Sequence, residues 1–276
     1  MDNSKNSRQG RCILLATITA CPHLVNHKIA IVKLIRFGTW IMFDLTNELQ
    51  TLVQMYRTRA DQSRGAVLAF ASAKKGAGVS TCAQGFARLL APNLVRGVWL
   101  FDLDFYINGQ AANFSSTQAQ HVYGQFGPPL DPTLQQKPFW RVSPQLVRND
   151  GREVSSAWHL AMHQIGQHRL FVSKFRNQSL ETGQSVHIIR APSYWQRVRD
   201  AIDLAIIDVP SRDRSRTLLA IAPDVDGVVL VAEHGTNPNE LKLLQHEVEA
   251  AGGNCLGVIF NASGELPQNS QQQSYQ

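Results

Sequence analysis

The sequence predicts a three-layer α/β fold on a mainly parallel central sheet. Three observations carry that expectation. Short apolar runs recur at 66–71, 97–106, 204–210, 226–232 and 255–261, and strands buried on both faces read as such near-continuous hydrophobic stretches. Segments with helical spacing, 81–90 and 238–251, lie between runs, which implies β-α-β crossovers and parallel neighbours. The first run, Ala66 to Ala71, breaks into a glycine-bearing loop, Ser72-Ala-Lys-Lys-Gly-Ala-Gly-Val-Ser-Thr81, that opens a helix.

A chain of 276 residues fits one large α/β domain or two small ones, and 43% hydrophobic residues suffice for a full core. The formal net charge of +6 is spread along the chain. That pattern suits weak attraction to anionic lipid headgroups or an acidic partner and argues against dedicated nucleic-acid binding. Cys12, Cys21, Cys82 and Cys255 have neither metal-site nor disulfide-framework spacing, so they read as reduced, mostly buried thiols of a cytosolic protein.

Residues 1–41 stand apart. Arg8 and Arg11 precede the short apolar run Cys12 to Ala20, and Ile18-Thr-Ala-Cys21 has the look of a lipobox. A spanning helix is disfavoured, because Lys33 and Arg36 interrupt the best candidate. The preferred expectation is a natural start at Met42, with an irregular, loosely held extension before it. From Asp44 to Arg57 the residues Leu45, Leu49, Leu52, Val53 and Tyr56 recur at helical spacing behind a capping Asp44 or Thr46. That helix is either packed on the sheet or a docking element.

The loop after the first strand has the chemistry of a phosphate cradle. Glycines let backbone N–H groups close around phosphate oxygens at a helix N-terminus. A lysine just before Ser/Thr ordinarily reaches the terminal phosphates, and the hydroxyl ligates magnesium. Lys74, Lys75, Gly76, Ala77, Gly78, Ser80 and Thr81 occupy the loop, but the lysine position holds Val79. A turn with no ligand is the competing reading. In the helix that follows, Ala83, Phe86, Ala87 and Leu90 fall on the inner face.

The second run ends in Asp102 and Asp104, on one side of the chain at the carboxyl end of the strand, where open parallel sheets place ligands. The third ends in Asp208. Acids closing two strands downstream of a glycine loop point to a metal-assisted phosphate site, and strand-end caps are the alternative. Asn261 follows the last strand, and Leu241, Leu244 and Val248 face inward from the helix before it.

On these motifs the stretch 42–262 resembles the deviant Walker A proteins of pattern K-G-G-x-G-K-[ST]-T, within the MinD/ParA superfamily of partition and septum-site ATPases. Lys74, Gly76, Gly78, Ser80 and Thr81 match, and Lys75 and Val79 depart. With Phe101-Asp-Leu-Asp104, Ile206-Ile-Asp-Val-Pro210, Asp224-Val-Asp-Gly-Val-Val-Leu-Val231 and Leu256-Gly-Val-Ile-Phe-Asn261, the chain resembles most the CpsD/CapB-type bacterial tyrosine-kinase-like proteins of capsule and exopolysaccharide synthesis, adhesive holdfasts included. The resemblance implies a P-loop NTPase fold and ATP with Mg2+. It implies a Lys74 that reaches phosphates across a dimer interface, catalytic Asp102, Asp104 and Asp208, a metal held by Ser80, Asp102 and Asp208, and adenine read by Asn261. It further implies a partner in the cytosolic part of an inner-membrane polysaccharide co-polymerase or export protein, a homo-oligomer, and a cytoplasmic location at that membrane. The family's C-terminal tyrosine cluster is reduced to Tyr275 in the polar tail 263–276, expected to be disordered.

Losing the lysine removes a charged hydrogen bond worth ~1.5–3 kcal/mol, so a catalytically impaired relative is expected. A positioning ATPase or pseudo-ATPase for pili, septa or plasmids is the rival reading, and an active autokinase the third. The segment 113–200 reads as an insert, with 124–138 an exposed loop and strands at 168–175 and 186–189 paired with each other. His159 and His163 read as sharing a helix face, a surface or packing pair in preference to a zinc pair. Arg212, Arg214 and Arg216 either face a phosphate or a neighbouring subunit or, the preferred reading, are solvated charge.

Overall fold

Ala66–Ala71 forms β1, buried throughout after Ala66. Its side chains alternate between two cores, with Val67, Ala69 and Ala71 in one and Leu68 and Phe70 in the other. A strand covered on both faces has no position for a polar residue, which is why the run carries none. The computed structural model describes residues 64–147, 151, 153–233 and 235–261. The expectations for 1–41, the helix at 44–57, Cys12, Cys21 and the tail 263–276 lie outside them.

The other strands are β2 (Val98–Asp102), β3 (Phe126–Leu130), β4 (Trp140–Ser143), β5 (Leu160–Ile165), β6 (Leu170–Phe175), β7 (Ser185–Ile188), β8 (Leu204–Asp208), β9 (Gly227–Glu233) and β10 (Cys255–Asn261). Eight of them make one sheet in the order β10-β9-β1-β8-β2-β6-β5-β3, and β4 pairs with β7 apart from it. From β10 to β6 every pairing is parallel, and β5 and β3 add an antiparallel edge. Pro128 and Pro129 on the outermost strand remove N–H donors that would otherwise invite further pairing.

Helices cover both faces of the sheet. On one lie α1 (Val79–Leu90) and α2 (Gly109–Ser115), followed by α3 (Thr117–Tyr123). Cys82, Ala83, Phe86, Ala87 and Leu90 of α1 and Phe114 of α2 are buried there, and sinking Phe86 alone contributes about 1.5–3 kcal/mol. Opposite lie α4 (Pro192–Ala201), α5 (Thr217–Ile221) and α6 (Pro238–Ala250). They bury Trp195, Val198, Ile221, Leu241, Leu244 and Val248. Asn237 caps α6, its side chain accepting from Asn239 N–H, with Pro238 in the first turn. Cys82 and Cys255 are free and buried. Burial pushes their thiols up to about 12 and about 11, which leaves them unreactive. Among the described residues no helix is long and apolar enough to cross a membrane.

Three local expectations are corrected in the middle of the chain. The stretch 124–138 is not all exposed loop, since β3 lies within it. The strands at 168–175 and 186–189 do not pair with each other. Leu170, Val172 and Phe175 are buried, so β6 takes an interior place beside β2 and β5, while the half-exposed β7 pairs with β4. His159 and His163 share no helix, because His159 ends a 3-10 turn and His163 lies in β5. They are packing residues. His159 Nδ1 meets Ser179 Oγ at 3.0 Å and His163 Nδ1 meets the Gly127 carbonyl at 2.8 Å, and burial lowers both pKa values.

Gly65 shows how tightly β1 is seated. A Cβ there would stand 2.0 Å from the Ile202 carbonyl oxygen and 2.9 Å from that of Arg199, at the end of α4. Backbone cannot swing aside as a side chain can. Gly65→Ala is expected to cost roughly 3 kcal/mol and to lower the urea midpoint by about 1 M; an unchanged midpoint would refute this packing.

Candidate phosphate-binding site

Between β1 and α1 the backbone takes two left-handed turns. Gly78 immediately precedes α1 at φ 89, ψ 23, and a Cβ there would stand 2.1 Å from Asn261 Nδ2. Both strain and space exclude a side chain. At Gly76, φ is +95 but a Cβ would meet nothing within 4 Å, so that glycine serves backbone conformation beside open space. Asn261, buried at the end of β10, donates from Nδ2 to the Ala77 carbonyl at 3.0 Å. On the other side the loop after β8 laces in. Arg212 and Asp213 N–H donate to the carbonyls of Ser72 and Ala73 at 2.9 and 3.2 Å, and Lys75 N–H donates to Asp213 Oδ2 at 3.3 Å.

This loop forms one wall of a pocket of about 390 Å³. Lys75, Gly76, Ala77, Gly78, Val79, Ser80 and Thr81 line it, facing Asp102, Asp104, Asp208, Arg214 and Asn261. The pocket sits at the carboxyl ends of β1, β8 and β2, where the chain passes from β1 through α1 to β2 and steps over β8. Lys74 is the one expected site residue outside the lining. Its Nζ lies 2.8 Å from Glu240 Oε1 on α6, with the side chain 58% exposed. Val79 opens α1 and is 8% exposed, packed into the apolar face of that helix.

The floor of the pocket is acidic. Asp102 and Asp208 are in-register neighbours on β2 and β8, exposed by only 3% and 5%. Burial pushes Asp102 up to about 6, with Asp104 adding repulsion. It pushes Asp208 up to about 7, with Asp102 adding repulsion. Two carboxylates side by side in this environment resist joint ionisation. Asp102 also caps locally, accepting from Gln110 N–H at Oδ2 and Asp104 N–H at Oδ1, both at 2.9 Å. Asp104 itself lies past the end of β2 and pairs with Arg214, Nη1 to Oδ2 2.7 Å.

One residue escaped the sequence reading. Gln110 of α2 is fully buried, and its Nε2 donates to Asp208 Oδ2 at 2.7 Å and to the Ser80 carbonyl at 3.0 Å. It joins the glycine loop to both acids, while its Oε1 has no partner. The signal was present, since Gln110, Ala111 and Phe114 share a helical face and a glutamine among apolar residues there needs a polar reason.

These residues fit a magnesium triphosphate. Magnesium keeps several waters and takes one or two carboxylates with phosphate oxygens. Ser80, Asp102 and Asp208 could therefore hold it, although among the described residues no group of three or more His, Cys, Asp or Glu side chains gathers as a metal site. The misfit is at Val79, where the loop offers no charge.

No protein-family model and no curated protein matches the sequence. Solved structures similar to the chain include the kinase domain of the Escherichia coli tyrosine kinase ETK, at 17% identity and TM-score 0.47, covering 84% of this chain and 79% of that one. The VpsO kinase domain is similar at 17% identity and TM-score 0.48, over 80% and 96%. A Cyanothece McdA variant in complex with ATP is similar at 18% identity and TM-score 0.41, over 71% and 68%. Folds host unrelated chemistries, so the chemistry here is argued from the site itself.

Proposed function

We propose that this chain is a tyrosine-kinase-like P-loop protein that binds a nucleoside triphosphate with magnesium and transfers phosphate poorly or not at all. It serves exopolysaccharide biosynthesis and export by docking on the cytosolic part of an inner-membrane polysaccharide co-polymerase. The observation that carries the nucleotide half is the pocket, in which a left-handed glycine loop faces two buried, in-register acids. Support for impaired transfer comes from Val79, whose apolar side chain stands where charge would meet the developing negative charge of the reaction. The docking half draws on the sequence motifs alone.

In this reading the loop N–H groups hold the phosphates, and magnesium, when bound, neutralises them. Ser80, Asp102 and Asp208 position the cation, and Gln110 keeps Asp208 in register with Ser80. Titration with a fluorescent ATP analogue is expected to give a magnesium-dependent Kd of about 10–100 μM, with hydrolysis near background. Immobilised cytosolic co-polymerase segments are expected to capture the protein. Capture by pilus or polar-organising proteins instead would replace the polysaccharide role with a positioning one, and absence of any magnesium-dependent binding would overturn the nucleotide half.

A further inference from the structure

We infer that Arg214 is the cation that meets the terminal phosphate in place of the absent loop lysine, with Asp104 as the carboxylate it must leave to do so. The inference deepens the triphosphate reading above and rests on it.

The site lacks the positive charge that the loop's lysine position, held here by Val79, would supply. Val79 is packed into the apolar face of α1, and Lys74 is turned outward to Glu240. Lys75 lines the pocket, but its fixed contribution is a backbone N–H spent on Asp213. Arg214 lines the pocket as well, and its guanidinium is held 2.7 Å from Asp104, itself part of the lining. The head group is thereby placed at the pocket, beside Asp104.

Its backbone is equally well placed. The loop after β8 is tied to the phosphate loop by Arg212 and Asp213 N–H and by the Asp213 carboxylate, and it is closed on itself by Arg214 and Ser215 N–H donating to the Ser211 carbonyl at 2.9 and 3.1 Å. Arg212 is fixed away from the pocket by Glu247 on α6, at 2.6 Å from Nε. Arg214 therefore moves with the phosphate loop, and only its side chain need turn. The side chains of Arg214 and Asp104 are 36% and 20% exposed, and ion pairs with that much water contribute little. A triphosphate offers the guanidinium fork more negative charge and bidentate oxygens, so exchange of partner is favourable.

The test titrates the full chain with a fluorescent ATP analogue and, in competition, with inorganic tripolyphosphate, at fixed magnesium and ionic strength. Arg214→Ala is expected to weaken both at least about tenfold, and Arg214→Lys to recover part of the loss. Arg212→Ala, which removes one charge of the same loop outside the pocket, leaves both unchanged. Asp104→Asn is expected to tighten binding when Arg214 is present and to have no such effect beside Arg214→Ala. Circular dichroism checks that each variant is folded, and the conservative Arg214→Lys and Asp104→Asn carry the test should Arg214→Ala misfold.

Binding by folded Arg214→Ala within about twofold of the parent, or an Asp104→Asn effect that persists without Arg214, overturns the inference and leaves the triphosphate reading standing. A parent chain that binds neither probe overturns both.

Discussion

Val79→Lys raises affinity for magnesium-ATP by about 10–100-fold, the equivalent of one charged hydrogen bond. Nothing else in the loop needs rebuilding. Gly76 and Gly78 already hold left-handed turns, Asn261 already fastens Ala77, and Ser80 already lies between the loop and Asp208. Residue 79 packs into the face of α1 yet borders the pocket, so a lysine stem can lie along the apolar wall and lift its ammonium toward the phosphates. Removing valine from that wall costs about 1 kcal/mol of stability. Isothermal titration and thermal unfolding on the same preparation read both effects. A folded variant with unchanged affinity would mean that the loop does not cradle phosphate.

The second large effect is on stability against pH. The carboxyls of Asp102 and Asp208 stand at about 6 and about 7, above their ordinary 3.8. From about pH 4 to about pH 7 the folded chain therefore binds more protons than the unfolded one, and stability falls as pH rises through that window. The pair titrates as a unit, and in the absence of divalent cation its burial costs a few kcal/mol at pH 8. Asp208→Asn removes the larger share. It is expected to raise Tm at pH 8 by about 5 °C and to flatten the profile between pH 5 and 8. Magnesium added at pH 8 stabilises the parent by binding the folded form and leaves the variant unmoved. A parent chain whose Tm is level from pH 5 to 8 would show that the acids do not share a buried, charge-averse floor.

Both expectations depend on side chains the sequence could place but not join. Phe70 and Ala71, Phe101 and Asp102, Ile207 and Asp208 were legible as strand ends because strands buried on both faces leave continuous apolar runs, and an acid at the end of such a run is conspicuous. The glycine loop was legible for the same kind of reason, since few segments other than a tight turn tolerate that composition. The middle of the chain was harder. In β5, Leu160-Ala-Met-His-Gln-Ile165 puts His163 on a buried strand, and a histidine four residues from another imitates helical spacing. In β7, Val186 and Ile188 are only half-buried, and short half-exposed strands take whichever partner the topology brings near.

By itself, then, the sequence determined the mainly parallel sheet, the two helices α1 and α6 with their inward faces, and the glycine loop with valine at its lysine position, because each follows from local composition and periodicity. The tertiary structure alone decided which charges meet. Register between β2 and β8 sets Asp102 beside Asp208. The fold of α2 over the loop drives Gln110 between Ser80 and Asp208, and the lacing of the loop after β8 onto Ser72 and Ala73 brings Arg214 to Asp104. The last two contacts span 98 and 110 positions of sequence respectively, and no local pattern encodes a pairing across such a distance; the packing of the sheet and its covering helices does.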